Sequence, residues 1–321
     1  MADQTTTTRR RVLLGTATAS VAAFAFGPSR AMAADAGKTI KRWKHYADCR
    51  FGQIHMVSAE PADGSGRGKT PLVCLHQSPT SGDYYREFQM LMAQDRLVIC
   101  PDTSGYGGSD HPTALPTMMD LGGAMAEAFV NMGYGKNPAG TTSLGAVDWL
   151  GFHTGNYVIT EVVAQRPDLV RRLIMPSIPY YPTSERDAKR AQYAKPRPYF
   201  TDPDYVGKSF KEAVIDSKSP LAKERLLEFF VERLRAGPES WWGFDAVFRY
   251  DADAALAKIT QEVLLPIMGL ETLAEPTRNA AKLMTKAKKV EFIDLPGMNG
   301  ENWQTTPEKL VAALKPFLDR A

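Results

Sequence analysis

The chain has 321 residues, 44% of them hydrophobic and 23% charged, so it holds enough apolar material for a sizeable globular core. The formal net charge of +3 falls to zero when the first 33 residues are set aside, because that removes four arginines and one aspartate. A neutral remainder gives no electrostatic case for nucleic acid or anionic lipid as a partner.

The first 33 residues predict export. Arg9, Arg10 and Arg11 precede an apolar run from Val12 to Phe26, and Ala31–Ala33 reads as an A-x-A cleavage site. This pattern is typical of a twin-arginine signal peptide, and it predicts a periplasmic or secreted mature protein. The alternative is an uncleaved anchor, but the run is too short and too rich in small residues to span a bilayer well. We therefore expect no stable membrane insertion.

After this segment, strand-like and helix-like stretches alternate, which favours a mostly parallel, twisted α/β sheet with helices on both faces. The predicted strands cover residues 54–60, 71–77, 96–102, 147–152, 170–178, 262–269 and 289–297. The predicted helices cover residues 83–94, 118–133, 157–167, 277–287 and 307–318.

The alternation breaks over residues 179–258, where aromatic clusters and charged helix-like stretches predict a helical cap inserted after the sixth strand. Residues 34–178 and 259–321 are then the two parts of the sheet-bearing core. An insertion at this point lies over the carboxyl ends of the strands, where such sheets bind ligands.

The cysteines and histidines suggest no metal site and no cofactor. Cys74 and Cys100 lie in apolar strand-like runs, which predicts buried thiols, and Cys49 leaves an odd number. No C-x-x-C motif or His/Cys cluster is present in the sequence.

Four motifs, taken in order, resemble those of the α/β-hydrolase superfamily, in particular its capped branch of epoxide hydrolases, haloalkane dehalogenases and carbon–carbon bond hydrolases. "LHQSP" (75–79) stands at the oxyanion loop, and "PDTSGYGGSD" (101–110) resembles the D-x-P-G-x-G-x-S loop. "GFHTG" (151–155) stands at the nucleophile elbow, and "LPGMNGENWQTTPEKL" (295–310) resembles the segment that bears the catalytic histidine. The resemblance covers nearly the whole mature chain and implies a hydrolase fold.

The departures from the family pattern fall on the catalytic positions. His153 replaces the elbow nucleophile, and Thr272 stands at the position of the family acid, with Glu271 beside it. The family histidine falls near Asn299 or Gly300, neither of which transfers protons near neutral pH. None of the five histidines follows the elbow. A Ser–Asp–His triad in the chain order of the family is therefore impossible.

The resemblance implies that an oxyanion site remains, with one donor in the backbone N–H of Thr154 and a second in that of Gln77 or Ser78. His153 can act as a general base on water or on a substrate proton, since imidazole titrates near physiological pH. It can also activate the Ser78 hydroxyl, attack directly as a nucleophile, or fill the elbow without turnover. Glu271 can orient the ring, as the acid does in a triad, or lie on the solvated surface.

Asp102 is interpreted as a turn-stabilising carboxylate. His76 is expected to brace the oxyanion loop. An aromatic cap indicates a small apolar or aromatic carbonyl substrate. The residues predicted to contact the substrate lie on the oxyanion loop or in the cap: His76, Tyr180, Tyr181, Trp241 and Trp242.

Three hypotheses follow. The first is an exported hydrolase that cleaves an ester, lactone or related carbonyl compound, with His153 as general base. The second is a cofactor-free lyase or isomerase that uses the same base. The third is a non-catalytic protein that binds a small ligand. The sequence leaves the oligomeric state and the substrate open.

Overall fold

The computed structural model describes residues 37–136 and 143–320 of the chain. The predicted signal peptide, residues 1–33, lies outside the described residues, and export stays a prediction.

An eight-stranded sheet forms the centre of the molecule, with the strand order β1-β2-β4-β3-β5-β6-β7-β8. Its strands are β1 (Ile40–Cys49), β2 (Gly52–Pro61), β3 (Leu72–Leu75), β4 (Val98–Pro101), β5 (Val147–Gly151), β6 (Val170–Ile174), β7 (Glu262–Met268) and β8 (Lys289–Leu295). The β1–β2 and β2–β4 pairs are antiparallel, and the remaining pairs are parallel. The predicted mostly parallel sheet is confirmed.

The helices outside the β6–β7 connection are α1 (Arg86–Met92), α2 (Met118–Asn131), α3 (Thr154–Gln165), α9 (Ala274–Ala281), α10 (Asn302–Thr305) and α11 (Pro307–Leu318). Between β6 and β7 lie α4 (Thr183–Tyr193), α5 (Tyr205–Phe210), α6 (Lys223–Arg235), α7 (Trp242–Arg249) and α8 (Ala252–Leu256). We call residues 183–256 the cap segment.

Both faces of the sheet are covered, because successive residues of a strand point to opposite sides. In β3, Val73 and Leu75 join the apolar cluster that contains α2 and α3, whereas Leu72 and Cys74 join the cluster that contains α1 and α11. All four residues are fully buried. This burial on both sides explains the continuous apolar runs of the central strands.

The first strand was not predicted from the sequence. β1 carries exposed charged side chains, for example Lys41 and Lys44, and it pairs along its whole length with β2. A half-exposed edge strand contributes few apolar residues to the pattern, so its strand character comes mainly from the partner.

Cys74 and Cys100 are free and fully buried, as predicted. Within residues 37–136 and 143–320, no helix is both long and apolar enough to cross a membrane.

An ion cluster ties the cap segment to the core. Arg225 of α6 donates from Nη1 to Asp83 Oδ2 at 2.9 Å and from Nη2 to the Asp83 carbonyl oxygen at 2.6 Å, and Arg86 contacts the same carboxylate. Burial opposes ionisation of Asp83, but the two guanidinium groups outweigh it and hold its pKa at about 2. The cluster anchors α6 beside the carboxyl ends of the central strands.

Candidate active site

A sharp turn joins β5 to α3 and carries His153 at its centre. His153 has φ 50° and ψ −115°, a positive φ that is uncommon for a residue other than glycine. A Cβ at Gly151 would lie 2.7 Å from a backbone nitrogen of α3, and a Cβ at Gly155 would lie 2.2 Å from the Leu75 carbonyl oxygen. Glycine is required at both positions, and the strained turn holds the imidazole at the carboxyl end of the sheet.

Glu271 faces this imidazole from the turn that follows β7. Its Oε2 lies 3.5 Å from His153 Nε2, a distance at the outer limit of a hydrogen bond. Its Oε1 accepts a hydrogen bond from the Gly300 N–H at 2.6 Å. The side chains of His153 and Glu271 are 29% and 15% exposed, so the pair lies at the wall of a cavity rather than in the core.

The electrostatics of the pair favour an ionised carboxylate. Burial opposes ionisation of Glu271, but the contact with His153 and its charge, together with the Gly300 N–H, bring the pKa below its usual value. His153 Nε2 is buried and faces the Glu271 carboxylate at 3.5 Å, with no closer hydrogen-bond partner among the described residues. In the tautomer with Nε2–H directed at Glu271, the lone pair lies on Nδ1.

The predicted oxyanion donors come together beside His153. Thr154 is the first residue of α3, so its backbone N–H has no partner within the helix. The Ser78 N–H reaches Thr154 Oγ1 at 3.3 Å, and Gln77 and Ser78 both line the cavity. The Thr80 N–H closes the loop with a 3.1 Å bond to the Gln77 carbonyl oxygen. The loop that carries Gln77 and Ser78 and the turn that carries Thr154 thus meet beside His153.

A cavity of about 810 Å³ opens over this pair, between the strand ends and the cap segment. The core contributes Tyr84, Phe152, His153, Glu271, Asn299, Gly300 and Glu301, and the cap segment contributes Arg197, Tyr199, Tyr205, Phe229, Phe230, Arg233 and Phe244. This volume is within the range of sites for small molecules.

No protein-family model matches the chain. Over 124 residues the chain is 28% identical to a haloalkane dehalogenase from Mycobacterium marinum (strain ATCC BAA-535 / M), a match that covers 38% of this chain and only 37% of that relative. A hydrolase from Pseudomonas aeruginosa PA01 superposes with a TM-score of 0.64 at 18% identity, over 86% of this chain and 98% of that one. An enol-lactonase from Burkholderia xenovorans LB400 superposes with a TM-score of 0.61 at 14% identity, over 86% and 100% of the two chains.

The chain has the α/β-hydrolase fold. A haloalkane dehalogenase loop variant from Bradyrhizobium elkanii matches in the same way, with a TM-score of 0.63 at 19% identity over 87% of this chain and 96% of that one. The superfamily resemblance carried by the four sequence motifs is thus confirmed at the level of the fold. Identities this low do not transfer an activity or a substrate.

Position 300 and the turn that follows β7 fit closely against each other. Thr272 is exposed, whereas Glu271 points at the elbow. A Cβ at Gly300 would lie 2.9 Å from Tyr84 Oη, 3.0 Å from Phe152 Cζ and 3.1 Å from Glu271 Oε1. The space that a side chain at position 300 would need is therefore filled, partly by the carboxylate that faces His153.

The Ser78 hydroxyl does not face the elbow. A Cβ at Gly243 would lie 2.3 Å from Ser78 Oγ and 2.5 Å from Tyr106 Oη, so the hydroxyl is packed against α7 of the cap segment. No hydrogen bond joins Ser78 to His153 within the described residues. The geometry does not support the predicted Ser78–His153 pair, because the hydroxyl is held by tertiary contacts that the sequence does not reveal.

His76 braces the oxyanion loop and does not line the cavity. Its Nε2 accepts the Thr103 N–H at 2.9 Å, which leaves Nδ1–H to donate to the Gln77 carbonyl oxygen at 2.8 Å. Burial lowers its pKa, partly opposed by the charge of Asp102 and by the hydrogen bond to Gln77. The ring is neutral, and both of its nitrogens are used.

The four aromatic residues predicted in the cap lie outside the cavity lining. Tyr180 and Tyr181 pack against the apolar core, where Tyr181 meets Phe248 at 6.1 Å between ring centroids. Trp241 precedes α7, and Trp242 lines a separate small cavity. These four predicted residues therefore do not line the cavity that holds His153, because nothing in the sequence shows which side of a cap helix faces the sheet.

Several lining residues were missed. Tyr84 donates from its hydroxyl to the Gly300 carbonyl oxygen at 2.7 Å and stacks on Phe152 at 5.7 Å between centroids. Arg197 and Arg233 line the cap side. The helical spacing of apolar residues along α6 was the available signal, since Leu226, Phe229, Phe230 and Arg233 recur at three- and four-residue intervals.

A second histidine–carboxylate pair is buried near β2. His55 Nδ1 lies 2.8 Å from Asp102 Oδ2, and the same carboxylate accepts the N–H groups of Gly82 at 2.6 Å and Gly108 at 2.7 Å. Asp102 is 2% exposed. Its carboxylate joins the segments that carry His55, Gly82 and Gly108, which agrees with the interpretation of Asp102 as a turn-stabilising residue.

Proposed function

We propose that this protein hydrolyses a small ester, lactone or related carbonyl compound, with His153 as general base, Glu271 as the group that orients it, and backbone N–H groups as the oxyanion hole. The observation that carries the proposal is the contact of Glu271 with His153 Nε2 at the elbow, in the wall of a cavity of substrate size.

In the proposed reaction, Nδ1 of His153 accepts a proton from a water molecule as the water oxygen bonds to the carbonyl carbon. The imidazolium that forms is stabilised by the ionised Glu271 at Nε2. The carbonyl electron pair moves onto oxygen, where the N–H groups of Thr154 and of Gln77 or Ser78 can donate to it. When the tetrahedral intermediate collapses, the imidazolium returns its proton to the leaving alkoxide.

This assignment uses one histidine for two proton transfers and needs no side-chain nucleophile. General base catalysis contributes typically about 10²–10⁴-fold, and one oxyanion donor about 10²–10³-fold. The combination suits activated esters and strained lactones better than amides, whose leaving groups are poorer.

The test is hydrolysis of a panel of aryl esters and lactones by the full-length protein, with His153→Ala and Ser78→Ala variants beside it. We expect saturable turnover that is lost in His153→Ala and retained in Ser78→Ala, because the Ser78 hydroxyl is packed against the cap segment. Circular dichroism of each variant checks that the fold is intact.

Loss of turnover in both variants would replace the water mechanism with a Ser78 nucleophile. Rates equal to buffer for the wild-type protein would overturn the hydrolase proposal. Solvent deuterium exchange into an acidic C–H of a carbonyl ligand, dependent on His153, would then support a lyase or isomerase. A tightly bound ligand recovered unchanged would support a binding protein.

A further inference from the structure

Two arginines in the cap wall of the cavity have no anionic partner among the residues that the structure describes. Arg197 follows α4 and is half-buried, and Arg233 lies in the last turn of α6 and is exposed. Both line the cavity that holds His153 and Glu271. No side-chain hydrogen bond or ion pair of either guanidinium occurs within residues 37–136 and 143–320.

Another arginine of the same helix shows the contrast. Arg225 lies two turns before Arg233 on α6 and is bound to Asp83, Glu87 and Glu228. Arg225 thus serves to dock the cap segment on the core. Arg233 takes no part in that docking, although it belongs to the same rigid element.

The two arginines share the cap wall of the cavity with a phenol. Arg197, Tyr199 and Arg233 all line this cavity. Burial raises the pKa of Tyr199, and the charges of both guanidinium groups act in the opposite direction. Tyr205 packs on Tyr199 edge to face, with ring centroids 5.4 Å apart, and lines the same cavity. The cap wall of the cavity therefore carries two guanidinium groups and the Tyr199 phenol, which packs against Tyr205.

The carboxylates of the lining do not neutralise this group. Glu271 is engaged by His153 and Gly300 on the opposite wall, and neither Glu212 nor Glu301 makes an ion pair with the two arginines in the described part of the molecule. A guanidinium fork matches the two oxygens of a carboxylate, and partial enclosure strengthens the attraction.

We propose that Arg197 and Arg233, with the Tyr199 hydroxyl, form a carboxylate-recognition subsite in the cap wall, so that the substrate is an ester or lactone that itself carries a carboxylate. This inference rests on the proposed function for its reaction but not for its binding site. The carboxylate is held by the cap segment, and the reacting carbonyl group is directed toward the elbow.

The binding test uses 4-phenylbutyrate and its neutral amide, titrated into the full-length protein by calorimetry. We expect the acid to bind at least tenfold more tightly than the amide to the wild-type protein and to His153→Ala. The preference should fall severalfold in Arg197→Gln and in Arg233→Gln and vanish in the double variant. Arg235→Gln is the matched control, because Arg235 lies on the same helix but outside the cavity lining. This variant should keep the wild-type preference for the acid.

An amide that binds as tightly as the acid, or a preference that survives in the double variant, overturns the subsite. Turnover separates this result from the proposed function. With 4-acetoxyphenylacetate and its methyl ester as substrates, the arginine variants should raise the KM of the charged substrate about tenfold or more and leave kcat within a factor of three.

If the wild-type protein binds the acid selectively but hydrolyses neither substrate, the subsite stands and the hydrolase proposal fails. If it hydrolyses both with equal kcat/KM and binds acid and amide equally, the hydrolase proposal stands and the subsite fails.

Discussion

The protein contains two histidine–carboxylate pairs, and they differ in what else each partner touches. In the pair His55–Asp102, the contact is 2.8 Å, the carboxylate accepts two further N–H groups, and both residues are buried. In the pair His153–Glu271, the contact is 3.5 Å, the carboxylate accepts one backbone N–H group, and the ring lines a cavity. A buried pair whose carboxylate also binds other segments holds the fold together, whereas a pair in the wall of a cavity can exchange a proton with a ligand.

The largest expected effect is on activity and separates the two pairs directly. His153→Ala should lower kcat about 10²–10⁴-fold, because it removes the proposed base. His55→Ala should leave kcat within a factor of about three and lower the free energy of unfolding by about 1–3 kcal/mol, because Asp102 loses a buried partner. Steady-state kinetics and urea unfolding of both variants measure this. An equal loss of kcat in His153→Ala and His55→Ala would contradict the proposal that only the His153–Glu271 pair acts in catalysis.

Replacement of the orienting carboxylate should cost less. Glu271→Gln keeps an oxygen for the Gly300 N–H but removes the charge that stabilises the imidazolium, so we expect kcat to fall roughly 10²-fold. Steady-state kinetics of both proteins measure this. A kcat like that of the wild-type protein would show that Glu271 plays no part.

The fit around position 300 gives a third test. Gly300→Ala places a methyl group within 3.1 Å of Tyr84, Phe152 and Glu271, so these groups, the carboxylate included, must give way. We expect a destabilisation of about 1–3 kcal/mol and a loss of kcat that exceeds any loss of ligand affinity. Gly297→Ala is the matched control, since no described atom lies within 4 Å of its Cβ. Identical behaviour of the two variants would contradict the close fit.

The smallest expected effect concerns the cap anchor. Asp83 has a pKa of about 2 in the folded protein, below the value near 3.9 of an unfolded chain. Its contribution to stability is therefore complete above the unfolded pKa and is lost as the pH falls through the folded one. Asp83→Asn should lower the free energy of unfolding by about 2 kcal/mol at pH 7, and the difference should shrink toward pH 2.

Glu228→Gln is the control for this anchor, because Glu228 pairs with the same arginines at a more exposed position. We expect an effect of at most about 1 kcal/mol from it. A difference between Asp83→Asn and the wild-type protein that stays constant with pH would show that charge pairing is not the source of the stabilisation.

The sequence predicted the features of the site that depend on local geometry and missed those that depend on contacts between distant segments. The position of His153 followed from the glycines around it, because the strand–turn–helix connection constrains Gly151 and Gly155 locally. The sequence also placed Glu271 next to the family acid position. It did not reveal that the Ser78 hydroxyl packs under Gly243, nor that Arg197 and Arg233 share a wall, since these contacts join segments far apart in the chain and depend on how the cap helices are rotated.

The central claim is that His153 acts on water as a base and is not itself acylated. The most direct measurement is the early time course of 4-nitrophenol release from 4-nitrophenyl acetate by the full-length protein, under conditions of substrate excess. The account predicts linear release from the first turnover, no acetyl group on the protein by mass spectrometry, and loss of the saturable rate in His153→Ala. A burst of one equivalent with an acetyl group on His153 or Ser78, or an undiminished rate in the variant, would contradict it.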